Sequence, residues 1–198
     1  MRDDSLQPRC SFFRPLAVLA VVLLLAFAPA ALRAQMGDMP MTPSPAGAPL
    51  LSPAATANIS LSGGTIDLHY NSPRMRGRKI MGELVPYNKV WRTGANPATT
   101  IITSAPLHFG SLLVPAGTHT IYTLPSATEW LLILNNQTGQ WGTVYDQAKD
   151  LGRIPMLSKP LVAPQEEMTL TFENTTATTT ELHIRWETTD RYVVISTP

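Results

Sequence analysis

Apolar and polar side chains alternate along much of the chain, and this two-residue period constrains the fold more than any other feature. Residues 65–70, 168–172 and 181–187 all show the alternation. A period of two places successive side chains on opposite faces of a strand, so it is typical of antiparallel sheets with one buried face. The predicted inward positions are Ile66, Leu68, Tyr70, Met168, Leu170, Phe172, Leu182, Ile184 and Trp186.

Other short apolar segments predict five more strands, at residues 99–104, 107–114, 118–124, 130–135 and 191–197. Turn-forming residues separate the segments, at about the 8–12-residue spacing of sandwiches and barrels, and one such signal predicts a turn at 188–190. We therefore expect an all-β domain, an antiparallel β-sandwich or jelly-roll-like fold. The composition agrees, because 15% charged residues exclude a long coiled coil and a single cysteine excludes a disulfide scaffold.

The first 34 residues predict an export signal. Arg2, Arg9 and Arg14 precede an uncharged apolar run at 15–32, which ends in small residues that suit a cleavage site, at 28–30 or 31–34. This is the pattern of a cleaved signal peptide at 1–34, with an uncleaved membrane anchor as the alternative. Residues 35–57 are rich in Pro and Ala, so we interpret them as a flexible spacer before a single β domain at 58–198. We expect a periplasmic or extracellular protein that meets the membrane only through an uncleaved signal.

One long connection, residues 71–96, interrupts the alternation. It contains two prolines and three glycines and is far longer than a normal connection, and such loops are usually functional or disordered. Apolar residues such as Ile80, Val85 and Trp91 favour a structured loop packed on the core. The loop carries six basic side chains and one acidic side chain, whereas the rest of the chain after residue 34 carries five basic and eleven acidic side chains. Most positive charge is thus concentrated in one loop.

This concentration of arginine predicts an anion site. A guanidinium group donates in a fixed fork that matches carboxylate, phosphate or sulfate, and aromatic rings offer flat surfaces for a sugar. The structural alternative is that the arginines pair with acidic side chains of later strands and that Trp91 is a core residue. The charge balance gives no reason to expect nucleic acid as a partner. The candidate ligand-binding residues are Arg74, Arg76, Arg78, Tyr87, Trp91, Arg92, Asn96 and Trp141.

The strings at residues 72–74, 90–96 and 140–142 carry a family resemblance. They read Ser-Pro-Arg, Val-Trp-Arg-Thr-Gly-Ala-Asn and Gln-Trp-Gly, and they resemble the bacterial domain-of-unknown-function family 2911. The resemblance covers about residues 60–197. It implies an exported bacterial protein and no established activity. Pro97 and His119 depart from the family pattern, in which an acidic residue and a tyrosine are usual at these two positions.

No catalytic motif is evident in the sequence. Signal cleavage would remove Cys10, the single cysteine, and neither a nucleophile elbow nor a phosphate-binding glycine-rich loop occurs. The histidines lack the close spacing of metal ligands, and alternation places His69, His108 and His183 on the solvent face. We therefore expect no metal and no cofactor.

The sequence thus favours an exported, non-catalytic binding or interaction module for an anionic or carbohydrate-like envelope ligand. Two alternatives stay open. One is a hydrolase of envelope polymers that uses Asp146, Asp150 or His119. The other is a structural component of an envelope complex.

Overall fold

The structure, a computed structural model, describes residues 51–198; the predicted signal segment and most of the predicted spacer lie outside this range. One 3₁₀ turn, Gln147–Lys149, precedes the eighth strand, and in the described part of the chain no helix is long and apolar enough to cross a membrane. The strands are β1 Ala54–Leu61, β2 Gly64–Asn71, β3 Thr99–Thr103, β4 Leu107–Phe109, β5 Leu112–Val114, β6 Gly117–Pro125, β7 Trp130–Asn135, β8 Asp150–Glu173 and β9 Thr179–Ser196.

All strand pairings between these elements are antiparallel, which confirms the predicted fold class. The strand order is β1-β2-β3-β6-β7-β8-β9-β4-β5 in one open sheet. β8 links its two halves, because residues 150–156 pair with β7 and residues 157–173 pair with β9. β1, at one edge, also contacts β8. The two halves of the sheet therefore face each other as the layers of a sandwich.

The core lies between these two layers. Side chains from β2, β3, β6 and β7 meet side chains from β8, β9 and β4 in one continuous apolar cluster. Ile66, Leu68, Leu182, Ile184 and Trp186 are all buried, as the alternation predicts. Burial of each such side chain stabilises the fold by about 1.5–3 kcal/mol. The core therefore holds β8 and β9 firmly beneath the loop that follows β2.

The longest strands differ from the prediction. β9 runs without interruption through residues 188–190, where the sequence predicts a turn, so that prediction is wrong. β8 contains the irregularity instead: it advances from Pro160 to Gln165 while its partner moves only from Thr189 to Glu187. The extra residues bulge out of β8, and Val162 is fully exposed there. The bulge shifts the register between β8 and β9, and the pairing continues on both sides of it.

The N-terminal boundary of the domain also differs. β1 begins at Ala54, so residues 54–57, which composition assigns to the spacer, belong to a strand paired with β2. Ala55 and Ala57 pack against the core from this edge. Small side chains suffice there because β1 covers the margin of the core and not its centre. Composition alone does not reveal such a strand, since alanine has little β propensity.

Candidate functional site

The loop between β2 and β3, residues 72–98, is fastened to β8 and β9 through its backbone. The Glu166 carboxylate accepts a hydrogen bond of 2.8 Å from the backbone N–H of Arg76. The two oxygens of Glu187 accept from the backbone N–H groups of Ile80 and Met81, each at 3.0 Å. These two acids thus hold the main chain of the loop and leave the arginine side chains to other partners.

Arg74 is the exception among the loop arginines. Its Nη2 lies 2.9 Å from Glu167 Oε2, and the two side chains are 52% and 36% exposed. The structural alternative therefore describes Arg74, which fastens the loop to β8. An exposed ion pair of this kind contributes about 0–1 kcal/mol to stability.

Arg76, Arg78 and Arg92 are bound to backbone carbonyls instead. Arg76 Nη2 donates to the Leu51 carbonyl at 2.7 Å, and Arg92 Nε donates to the Gly94 carbonyl at 3.2 Å. Arg78 donates twice, to the carbonyls of Met75 and Arg74. None of the three makes an ion pair with any residue in 51–198. A carbonyl orients a guanidinium group without neutralising it, and each group keeps further N–H donors.

These three arginines line a single open pocket of about 330 Å³, the arginine pocket. Asn96 adds an amide, and Leu84, Trp91 and Trp186 supply apolar surface. Within the described range, its lining contains no acidic side chain. Three positive charges beside one another repel, and an entering anion relieves that repulsion.

Trp91 supplies the accessible aromatic wall of the arginine pocket, and the buried Trp186 supports it. The rings of Trp91 and Trp186 are stacked, with centroids 5.8 Å apart and 18° between their planes. Trp186 is buried, and its indole N–H donates to the Glu166 carbonyl at 3.2 Å. Trp91 is half-buried and exchanges two backbone hydrogen bonds with Thr123 of β6. The wall is therefore rigid, and it continues the core outward to the surface.

A strained turn carries Arg92 and Asn96 into the pocket. Thr93 has a φ of 53°, which is an unusual conformation for a β-branched residue. Buried hydrogen bonds hold it there: its hydroxyl donates to Thr123 Oγ1 at 3.1 Å, and its carbonyl accepts from Thr99 Oγ1 at 2.8 Å. Strain that surrounding contacts maintain is concentrated at functional positions in many proteins.

The other two candidate residues lie elsewhere. The ring of Tyr87 packs against Gly82, where an added Cβ would lie 2.9 Å from Tyr87 Cε2. Trp141 is 54% exposed and forms a backbone bridge with Pro97. Neither side chain lines the arginine pocket. Trp186 does line it, although the sequence indicates only a core residue at that position.

The candidate residues of the hydrolase alternative are engaged in local hydrogen bonds. Asp146 caps the 3₁₀ turn by accepting from the Ala148 N–H. Asp150 accepts from the Tyr145 hydroxyl at 2.7 Å, and it also binds Arg153. The two ring nitrogens of His119 contact Asn136 Oδ1 and the Pro115 carbonyl, each at 3.1 Å. These contacts stabilise the turns around residues 135–150.

His183 corrects a sequence prediction. Alternation places it on the solvent face of β9, but the side chain is completely buried. Its ring nitrogens contact Asp190 at 2.7 Å and Glu181 at 3.0 Å, and Tyr192 stacks on its ring. Polar and charged side chains of β8 and β9 thus cover the face of β9 on which His183 lies. In the chain from residue 51 onward, no cluster of three or more His, Cys, Asp or Glu residues has metal-binding geometry.

Comparison with known proteins gives one match. A family model described as "Protein of unknown function (DUF2911)" matches residues 52–195. No curated protein and no solved structure matches the chain significantly. The match spans every strand apart from the last residue of β9, and it covers the arginine pocket apart from Leu51 at its rim. The chain therefore belongs to the family of unknown function DUF2911.

Proposed function

We propose that this protein is an exported, non-catalytic binding module that holds an anionic, carbohydrate-like ligand of the cell envelope in the arginine pocket. The observation that carries the proposal is the charge state of that pocket. Arg76, Arg78 and Arg92 line it together, and their hydrogen-bond partners are neutral carbonyls. The acids that could neutralise them bind the loop backbone or Arg74 instead.

The remaining features of the pocket support the same function. Asn96 can orient a ligand by donating or accepting, and the half-buried Trp91, backed by the buried Trp186, offers apolar ring surface to a ligand. Rigid positioning of polar groups within an apolar frame is the usual design of small-molecule sites. The hydrolase and the structural component of an envelope complex remain alternatives.

Isothermal titration of the purified protein with sulfate, phosphate and galacturonate tests the proposal. We expect saturable one-site binding that weakens with ionic strength, as exposed charge interactions do. Replacing both Arg78 and Arg92 with glutamine should weaken binding at least tenfold, because each charge-assisted hydrogen bond contributes about 1.5–3 kcal/mol.

Lys79→Gln is the matched control. Lys79 belongs to the same loop and carries the same charge, but it pairs with Glu83 and lies outside the arginine pocket. This variant should bind as the unmodified protein does. The proposal is wrong if none of the anions produces heat, or if Lys79→Gln weakens binding as much as Arg92→Gln alone.

A further inference from the structure

A second pocket adjoins the arginine pocket and has a different character. It has a volume of about 260 Å³, and its own lining includes Pro86, Lys89, Val90, Tyr122, Thr143 and Tyr145. We call it the tyrosine pocket. It shares Leu84, Trp91 and Arg92 with the arginine pocket, so these three residues form a common wall.

The common wall carries both an apolar and a charged group. Leu84 is 46% exposed, which leaves a large apolar side chain uncovered between the two pockets. Arg92 faces both pockets, and a single hydrogen bond to the Gly94 carbonyl fixes it. A ligand that spans both pockets would cover the apolar side chain of Leu84. Each end of that ligand could contact the guanidinium group of Arg92.

The tyrosine pocket offers the partly exposed ring of Tyr145, which packs edge-on against the buried Tyr122, and both tyrosine hydroxyl groups are already hydrogen-bonded. The Tyr122 hydroxyl donates to the Val144 carbonyl at 2.8 Å, and the Tyr145 hydroxyl donates to Asp150. Burial, and then the hydrogen bond to Asp150, raise the pKa of Tyr145 to about 12, so its ring brings no negative charge to the pocket. Lys89 adds one exposed positive charge at the rim.

The sizes of the two pockets favour their joint use. Ligand sites typically span about 300–1,000 Å³, so either pocket alone lies at or below the lower limit, and the two together lie well within the range. One pocket is lined by three arginines and the other presents the ring of Tyr145, which suits a ligand with an acidic ring joined to a further ring.

We infer that the ligand is an acidic saccharide of at least two rings, with its charged ring in the arginine pocket and the next ring against Tyr145 in the tyrosine pocket. This inference rests on the proposed function and extends it to a second subsite. Flat aromatic surfaces accept the apolar face of a sugar ring, whereas the arginines and Lys89 favour a negative charge. A ligand that carries both a negative charge and a sugar ring satisfies both requirements.

Titration calorimetry with galacturonate, its dimer and the neutral disaccharide maltose tests the inference. We expect the dimer to bind on the order of tenfold more tightly than the monomer, since the second ring adds contacts without a second association cost. Maltose should bind far more weakly than either. A dimer that binds no more tightly than the monomer would overturn the second subsite.

Thr143→Trp blocks the tyrosine pocket specifically. Thr143 is exposed and lines that pocket alone, so a bulky side chain there should fill it without disturbing the core. The variant should bind the monomer normally and lose the tenfold advantage of the dimer. Thr138→Trp, at an exposed position that lines neither pocket, is the control and should bind both sugars normally. If Thr143→Trp keeps the advantage of the dimer, the subsite is elsewhere and the inference is wrong.

The results also separate this inference from the proposed function. Binding of sulfate that is lost in Arg92→Gln, together with no binding of either uronic sugar, would support the anion site and refute the saccharide. Absence of binding by every anion would refute both.

Discussion

At the scale of single residues, Gly142 shapes the arginine pocket from behind. A Cβ added there would lie 2.3 Å from Arg92 Cδ and 2.8 Å from the Asn96 carbonyl oxygen. The Gly142 N–H already donates to that carbonyl at 3.0 Å. Two pocket residues therefore depend on the absence of a side chain at position 142, which gives the 140–142 string a physical role.

We predict that Gly142→Ala displaces Arg92 and Asn96. The overpacked variant should lose about 1–3 kcal/mol of unfolding free energy and also bind anions at least several-fold more weakly. Urea unfolding and titration calorimetry measure the two effects. Gly63→Ala is the control, because its added Cβ would lie 2.7 Å from Thr197 Cγ2 and neither residue lines the arginine pocket. Unchanged anion binding in Gly142→Ala would contradict this account.

At the scale of elements, the alternation predicts strands well where one face is buried. Residues 65–70, 99–104 and 130–135 correspond closely to β2, β3 and β7. It fails at 188–190, because Asp190 is buried by hydrogen bonds with His183 and Arg185 of the same strand, and the alternation of apolar residues does not predict these polar contacts. Asp190 is therefore a buried polar residue within a strand and does not indicate a turn.

For the candidate site too, the sequence predicts the features that are local in the chain and misses those that depend on residues distant in the chain. Composition identifies the loop, and the structure brings Arg76, Arg78, Arg92, Trp91 and Asn96 together in one pocket. The sequence could not separate Arg74 from the others, because its partner Glu167 lies 93 residues away and is assigned by the register of β8. Whether Tyr87 and Trp141 line the pocket likewise depends on the paths of the segments that carry them, which the sequence does not give.

We predict that Glu187→Gln loosens the loop without changing the charge of any arginine. The amide can accept only one of the two hydrogen bonds from Ile80 and Met81, so a loss of about 1–3 kcal/mol is expected. Hydrogen exchange should show faster exchange at those two amides, and anion binding should weaken. Glu83→Gln, an exposed member of a surface ion pair in the same loop, should change neither. Equal exchange rates in both variants would contradict the fastening role of Glu187.

At the scale of the whole molecule, the positive charges fall into two groups with different surroundings. On β8 and β9, Arg185 is bound to Glu173 and Asp190, and Lys159 is bound to Glu181 at 2.7 Å. Each cation of that network is paired with at least one carboxylate, and the pairs link β8 to β9. The arginine pocket lacks such acids among the residues that the structure describes, so it is the region where an external anion has most to contribute.

The paired charges on β8 and β9 predict a loss of stability in acid. Hydrogen bonds from Lys159, and to a smaller extent from His183 and Asn174, lower the pKa of Glu181 from 4.5 to about 2, against the opposing effect of burial. Because the pKa in the folded state is depressed, this stabilisation is complete above about pH 4.5 and is lost as the pH falls towards 2. Urea unfolding between pH 6 and pH 2 measures it.

Lys159→Met should reduce this acid dependence, because it removes the largest cause of the pKa shift of Glu181. Lys149→Met, at an exposed position on the 3₁₀ turn, removes the same charge and should keep the acid dependence of the unmodified protein. A stability that is independent of pH down to 2 would contradict the role of the network, and so would identical acid profiles for the two variants.

NMR of the arginine side chains during a sulfate titration tests the central claim most directly. The Nε–H signals of Arg76, Arg78 and Arg92 should shift together and saturate with one common dissociation constant. Those of Arg74 and Arg185, which are paired with carboxylates, should remain in place. Small, linear and equal shifts of all five signals would instead show that the arginine pocket has no specific affinity for anions.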